Sequence, residues 1–476
     1  MAMNRILRIT VATMALIAVS VVTGQAEDRK GPIWQRRQTR DKMGGMPEEI
    51  LKLQSLEKVQ PPSIDAAVSL ALKAADEAAR ELIDLNFHKG KRITVPEDFQ
   101  TIQSGIDAAK AGDIVIVKPG TYFELIEMKD GVKLVSDSGK GGDELVAVEG
   151  ARLKLPRRTM RTIIDGSKSK TSHHGMIDFN PGLGRKTVVD GFTIQNLPMQ
   201  DHHIPGHAHS INLRGASPVI MNCYVLRNGS TGIGSHVVFS DQESTMSGRD
   251  FRWANVRHRA EGVIYRNIIR ESVGLGIGCN HFSAPHILGN EVFLNTDVEL
   301  GHDPSPGMGA KHGAAPTILG NIVHDNPGGG ILSKVGDPQG AHHIDRPTHP
   351  VVMKNVVYKN GDVRAAISCN GAGSEEVPVR FINNFVYDAG SVGIGISNGA
   401  FCVVEENIVS RTQNPGIVVN NATALKLNRN KVTGSMAPGF VFVKGAKVVE
   451  MIGNAADSNM GPRFMLHGST VAGHDG

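Results

Sequence analysis

Short runs in which apolar and polar residues alternate recur with a fixed beat through most of this chain. The clearest is APTILGNIVHDN at 315–326. Close variants are APHILGNEVFLN (284–295), HPVVMKNVVYKN (349–360), VPVRFINNFVYD (377–388), FCVVEENIVSRT (401–412) and ALKLNRNKVTGS (424–435). Each is an alternating run, an Asn-containing corner and a second short apolar run. From one corner Asn to the next the count is 23 for Asn267 to Asn290, Asn384 to Asn407 and Asn407 to Asn430, and 24 for Asn430 to Asn454. Asn290 to Asn321 (31), Asn321 to Asn355 (34) and Asn355 to Asn384 (29) keep the beat with 8, 11 and 6 extra residues. A period in the low twenties, built from strands too short to fold alone, predicts a solenoid.

The physical reason is local. Two-residue periodicity over four or five positions puts Ile, Val and Leu on one face of each strand. That face cannot be buried by one strand, but coils stacked on one another enclose a continuous interior. Asn suits the corner because it tolerates left-handed backbone and bonds locally, so stacked corners should form an Asn ladder. A leucine-rich repeat has a similar period, but the repeat here favours Val, Ile and Gly and lacks its Leu spacing. The predicted fold is all-β: a single-stranded, right-handed parallel β-helix with an N-terminal helical cap.

Residues 1–26 read as a signal peptide: Arg5 and Arg8, an apolar run from Ile9 to Val22, then GQA before Glu27. Residues 27–62 are charged, Pro-containing and aperiodic, and read as a flexible leader. Residues 63–90 form an amphipathic helical segment. Ser63 can cap it, Ile64, Ala67, Val68, Ala71, Ala75, Ala79 and Leu82 share a face, and Gly90 follows its end. Asp76 and Arg80 are spaced as a pair on its wet side. This helix is expected to lie along the solenoid or its open end, with dimerisation as the alternative. The β-helix proper spans 91–460, its first regular coils at 160–200, and 461–476 reads as a tail.

The stretch ITVPEDFQTIQSGIDAAKAGDIVIVKPGTYFE (93–124) gives a strand, a short helix with Phe99, Ile102, Ile106 and Ala109 on one face, a strand, a Lys-Pro-Gly turn and another strand. Such an entry can plug the apolar end of a solenoid. Here the chain resembles the pectate-lyase-like superfamily of right-handed β-helix proteins. It is most similar to the branch that includes periplasmic copper-binding proteins linked to nitrous-oxide reductase maturation. The resemblance covers about 93–460 and speaks for fold, not chemistry. Pectinesterases share a similar opening, but their Gln/Asp/Arg catalytic set has no counterpart here. The adjacent Asp pair of polygalacturonases is missing too, since the sequence holds no Asp-Asp.

Composition narrows the function classes. Gly at 55 with 5% aromatic residues suits many tight turns around few large side chains. The net charge is +4, about +2 once Arg5 and Arg8 leave, which is no nucleic-acid footprint. No later stretch is long and apolar enough to span a membrane. Cys279 and Cys369 occupy the same place in their coils, but three coils at ~4.8 Å separate them by roughly 14 Å, too far for a disulfide. With Cys402 on another strand, buried free thiols are expected.

Candidate chemistry gathers in the middle of the chain. Fourteen of the 19 His lie between His202 and His349, more than twice what an even spread would place there. Aligned on the corner and its preceding Pro, His281 and His312 coincide, and Arg214, His258 and Arg346 fall at the same register. Aligned from the preceding Gly-rich strand, the row reads His236, Lys311 and Lys334. Either way a basic stripe runs along one edge, and five coils at ~4.8 Å span roughly 19 Å, a few sugar units. Three insertions open beside it: 237–257 with Asp241, Glu243, Arg249, Arg252 and Trp253; 300–310 with His302 and Asp303; and 335–345 with Asp337, His342 and His343.

A linear polyanion is the ligand this stripe suggests. β-Elimination of a uronate needs its carboxylate neutralised and a base for the C5 proton. His281, Lys311 and His312 are the catalytic candidates. Arg214, His236, His258, Lys334 and Arg346 are candidates for gripping flanking carboxylates, and Trp253 for stacking on a sugar or anchoring its loop. Asp297, Glu299, His302 and Asp303 could bind Ca²⁺ or form a solvated acidic loop. The run QDHHIPGHAH (200–209) invites Zn²⁺ or Cu²⁺, or feeds His into the groove.

The sequence therefore reads as an exported protein, secreted or periplasmic, that binds and by elimination cleaves an acidic polysaccharide. The alternatives are a binding-only surface protein and a periplasmic metal-handling protein. A stacked polar ladder without a ligand would give the same stripe. The sequence leaves the oligomeric state open.

Overall fold

The computed structural model describes residues 58–169, 175–199, 209–240, 249–296, 304–335 and 342–471. Strands of two to six residues stack into one 15-stranded and two 12-stranded parallel sheets, each receiving strands in chain order. A coil visits the first sheet (Thr317–Leu319), the second (Ile322–His324) and the third (Ile331–Lys334) before it returns to the first at Val351–Met353. Stacking begins earlier than the periodicity suggests. Ile114–Val117, Gly120–Tyr122 and Ile126–Met128 already contribute one strand to each sheet. It also continues past 460: Phe464–His467 and Thr470–Val471 extend the third and first sheets into the stretch read as a tail. Phe464 secures that last coil by stacking on Phe440 at 4.8 Å.

The corner between the first and second sheets carries the expected Asn ladder. Asn267, Asn290, Asn321, Asn355, Asn384, Asn407, Asn430 and Asn454 are all buried. Each Oδ1 accepts both the backbone N–H and the Nδ2 of the Asn one coil earlier, at 2.9–3.1 Å from Asn267 onward. Each Nδ2 also reaches a strand carbonyl, as Asn355 does to Ile318 at 2.9 Å. These bonds satisfy backbone groups that a corner inside an apolar stack would otherwise strand. A second ladder stands five residues further on, where Ser272, Asn295, Asn326 and Asn360 repeat the arrangement at the next corner. The closing Asn of FLN, HDN and YKN is its signature.

The interior is Ile, Val, Leu and small residues in continuous columns, such as Ile233, Ile277, Met308, Ile331, Ile367 and Ile394. Cys223, Cys279, Cys369 and Cys402 are buried free thiols, and burial pushes those of Cys223 and Cys279 up to about 12.

Two helices dress this stack. Helix α1 (Ile64–Leu82), capped by Ser63 through the Ala66 N–H, lies along the outside of the coils. Its Ala67, Val68 and Ala71 pack with Ile322, Val356, Tyr358 and Tyr387, and its Ala75 and Ala79 with Val219, Met221, Val263 and Leu288. It comes so close that a Cβ on Gly320 would stand 2.3 Å from the Ala71 carbonyl oxygen, and one on Gly289 3.0 Å from the Ala75 Cβ. Asp76 does not form a wet-side pair with Arg80. Its carboxylate accepts two bonds from Arg266 (2.6 and 2.9 Å) and one from the Tyr265 hydroxyl (2.9 Å), because the helix docks on the solenoid there. The end of the leader runs on along the coils: the Val59 N–H donates to Asp457, and the Tyr387 hydroxyl to the Pro62 carbonyl.

Helix α2 (Ile102–Ala108) buries Ile102, Gly105 and Ile106 over Ile93, Val95 and Val115, closing the N-terminal end. The Glu124 carboxylate caps it through the Ile102 and Gln103 N–H groups at 3.0 and 3.1 Å. Among the described residues no helix is long and apolar enough to cross a membrane.

Candidate functional site

The third sheet presents the row of candidate residues. Along Ile211–Arg214 the alternation sends Ile211 and Leu213 inward and Asn212 and Arg214 outward. Arg214 is the register partner of His236. The same position runs on through Asn280 and Lys311, fixed by Asn280 N–H to Ser235 O and Lys311 N–H to Cys279 O at 2.9 Å each. Lys334 follows, and then Asn370, Ser397 and Asn420. The alignment made from the Gly-rich strand is therefore the one the coils follow. The alignment made from the corner fails for His258 and Arg346 because insertions fall between strand end and corner, and it sets Arg214 one position off because its coil is one residue shorter there. His258 sits in a two-stranded antiparallel ribbon opposite Val238, and Arg346 follows the inserted strand His342–Ile344.

Beside this edge the floor of the groove is flat. Its outward positions are Gly234, Gly278 and Gly309. The His209 ring lies over the first of these, and Leu275 over the other two. The rings of His209 and His236 meet edge to face at 6.3 Å. Where Lys311 and Lys334 stand, the groove deepens into an open pocket of ≈ 370 Å³. Its polar lining includes Lys311, Lys334, Arg364, Ser368, Asn370 and Ser397, against an apolar side that includes Leu332, Ala365, Val392 and Val418. The Arg364 guanidinium is steered there by the carbonyls of Pro304 and Gly328. Arg364 precedes its strand and belongs to no row, so nothing in the repeat marks it.

His281 and His312 do share one register, a left-handed corner (φ 47° and 54°) that other coils fill with Gly215, Gly371 or Asn398. Their rings stack at 5.0 Å. His281 does not face an open groove. It is 8% exposed, with the Phe251 ring 4.6 Å away. The cause is a small lobe made by two of the insertions: Arg249–Phe251 and His342–Ile344 pair in parallel, and Phe251, Phe282 and Val237 form its core. Nor does Trp253 offer a bare face to a sugar. Arg346 lies 4.2 Å over its ring, Arg259 lies 5.1 Å away, Phe282 meets it edge-on, and the Asp345 carboxylate accepts its backbone N–H. It anchors the lobe. Of the catalytic candidates Lys311 lines the pocket, beside Lys334 from the carboxylate-gripping set, while the His pair builds the adjoining corner.

The proposed cation ligands Asp297, Glu299, His302 and Asp303, and the His-rich run apart from His209, lie outside the described residues. Among the described residues no group of three or more His, Cys, Asp or Glu is placed to hold a metal.

Not every His in the gathered window belongs to the groove. His324 faces outward from the second sheet and stacks between Phe293 and Tyr358, both at 4.6 Å. Its Nε2 bonds the buried Glu291 at 2.9 Å and its Nδ1 bonds Asp325 at 2.7 Å. Burial opposes charge on this ring, but the two carboxylates outweigh it and raise its pKa. Glu291 also accepts the backbone N–H groups of Arg152 and Leu153, and Arg152 reaches Tyr358 and Asp65 of α1. This cluster fastens the 145–156 hairpin and the start of α1 to the coils.

A search of curated proteins finds no match. Among solved structures, the chain is similar to the catalytic unit of the thermostable GH87 alpha-1,3-glucanase from Streptomyces thermodiastaticus strain HF3-3 (12% identity over 86% of this chain and 70% of that one, TM-score 0.47). It is also similar to the Azotobacter vinelandii mannuronan C-5 epimerase AlgE4 A-module (14%, 78% and 95%, TM-score 0.39). A third is the Streptococcus pneumoniae surface protein and adhesin PfbA (12%, 77% and 94%, TM-score 0.41). Residues 339–456 match the right-handed β-helix region, and the strand order agrees with that fold throughout. Residues 90–360, more than half of the chain, match the family described as Protein of unknown function (DUF1565), and this right-handed parallel β-helix belongs to that family.

Proposed function

We propose that this chain binds a linear acidic polysaccharide along the third sheet. One observation carries the reading: the outward edge position bears Arg214, His236, Lys311 and Lys334 on four of five successive coils, and Arg364 joins the two lysines in the pocket. Coils repeat at ~4.8 Å, so carboxylates on successive sugars can each meet a cation. Export by residues 1–26 belongs to the same reading, since such polymers are extracellular.

The same groups suit β-elimination. Lys334 and Arg364 would neutralise one uronate carboxylate and so acidify its C5 proton. Lys311, as the neutral amine, would accept that proton. The C4–C5 double bond forms as the C4–oxygen bond breaks, and the departing oxygen takes up a proton. Ca²⁺ taken up by Asp297, Glu299, His302 and Asp303 is the cofactor this reading would use for further neutralisation. Ultraviolet absorbance of unsaturated ends, followed on a panel of uronate polymers with Ca²⁺ or a chelator, tests this. Product that disappears in Lys311→Ala supports elimination. Binding without product leaves the binding-only reading, which the burial of His281 under Phe251 favours.

A further inference from the structure

The groove changes character at one coil. Up to Lys334 the outward edge row is mainly cationic; at Asn370, Ser397 and Asn420 it is amide and hydroxyl, before it passes to Val443 and His467. The floor changes more gradually. Gly234, Gly278 and Gly309 give way, through Leu332, Ser368 and Gly395, to Val418, Val441 and Met465. With Ala365 and Val392 these last three form a continuous aliphatic strip on the outward face. The ≈ 370 Å³ pocket sits across the change, with Lys311, Lys334 and Arg364 on one side and Asn370, Ser397 and Val418 on the other.

These halves suit different sugars. On the coils of Asn370 to Asn420 the edge row offers a uronate carboxylate no cation in place of its lost hydration. A neutral pyranose suits the pocket there, with its C–H face toward Val392 and Val418 and its hydroxyls bonded to Asn370 and Ser397, which both donate and accept. Asn398 donates to Asn370 at 3.0 Å, so the amides are held in order along the edge. We infer that the ligand is a mixed polysaccharide, bound with an acidic stretch over the coils of Arg214 to Lys334 and a neutral stretch over those of Asn370 to Asn420. This rests on the acidic-polysaccharide reading and narrows its substrate class.

Calorimetric titration with three oligosaccharides of equal length tests it: all uronate, all neutral, and uronate joined to neutral at one end. The mixed ligand should bind the wild-type chain about tenfold more tightly than either uniform one. In Asn370→Ala/Ser397→Ala the preference of mixed over all-uronate should fall toward one, with the melting temperature checked against wild type. A measurement on the wild-type chain needs no variant: saturation of protein methyl protons should transfer to the neutral end of the mixed ligand more than to its acidic end. If the all-uronate ligand binds as tightly as the mixed one, or saturation spreads evenly along the mixed ligand, the division of the groove falls and the acidic-polysaccharide reading stands. If neither uronate-containing ligand binds, the reading itself falls.

Discussion

Arg214 and His236 are register partners on adjacent strands of the third sheet, a guanidinium directly above an imidazole at the edge of the groove. Two coils further on, Lys311 and Lys334 repeat the arrangement. Like charges stacked at ~4.8 Å repel, and an anionic ligand relieves that repulsion. Arg214 is exposed, so Arg214→Gln should change stability by no more than about 0.5 kcal/mol while it weakens binding of uronate polymers. Thermal melts with and without polymer check both halves.

Gly320 has a different task. Its left-handed φ of 68° is shared by Lys354 and Asn383 at the same corner, so the conformation does not demand Gly. The α1 backbone does, since a Cβ would meet the Ala71 carbonyl oxygen at 2.3 Å. Gly320→Asn should cost about 2 kcal/mol or more and free the start of the chain to proteolysis. Gly453→Asn, at the equivalent corner beyond the helix, should be near neutral because its nearest neighbour is a flexible Arg429 side chain.

Asn355 sits in the middle of the ladder, accepting from the Asn321 N–H and Nδ2 and donating to Asn384 and Ile318. Asn355→Ala would strand buried groups on both neighbouring coils. The expected loss is about 3 kcal/mol in a denaturant titration, well beyond that of an exposed Asn such as Asn398.

His324 makes stability fall as pH rises. Its folded pKa lies above its unfolded value, so the charged ring contributes fully in mild acid. That contribution is lost as pH climbs from about 6.5 through the raised folded pKa, where a neutral ring faces two carboxylates. Asp325, held low by its bond to His324, works in the other direction and loses its contribution only in stronger acid. Melting temperatures across pH 5 to 9 should decline on the alkaline side, and His324→Phe should flatten that decline while lowering stability by about 3 kcal/mol.

The fold was legible because each coil repeats one physical demand: a buried corner needs a side chain that supplies both a donor and an acceptor. Asn407 and Asn430 meet it 23 residues apart, and the beat follows. The Gly of the two ILGN phrases carried a message that could be read only with α1 in place. The candidate row was half legible. His236, Lys311 and Lys334 follow from the strand side, where no insertion intervenes. Counting from the corner crossed the insertions and misplaced His258 and Arg346. Arg364 left no periodic trace, and the count of His credited the groove with His324, which stitches α1 and a hairpin to the coils instead.

Titration of a uronate polymer onto the wild-type chain and onto Lys311→Ala/Lys334→Ala, at rising NaCl, tests the central claim most directly. The account predicts tight binding at low salt, a steep loss as salt screens the row, and a weaker and flatter response in the double variant. Equal binding by both proteins, or binding indifferent to salt, would contradict it.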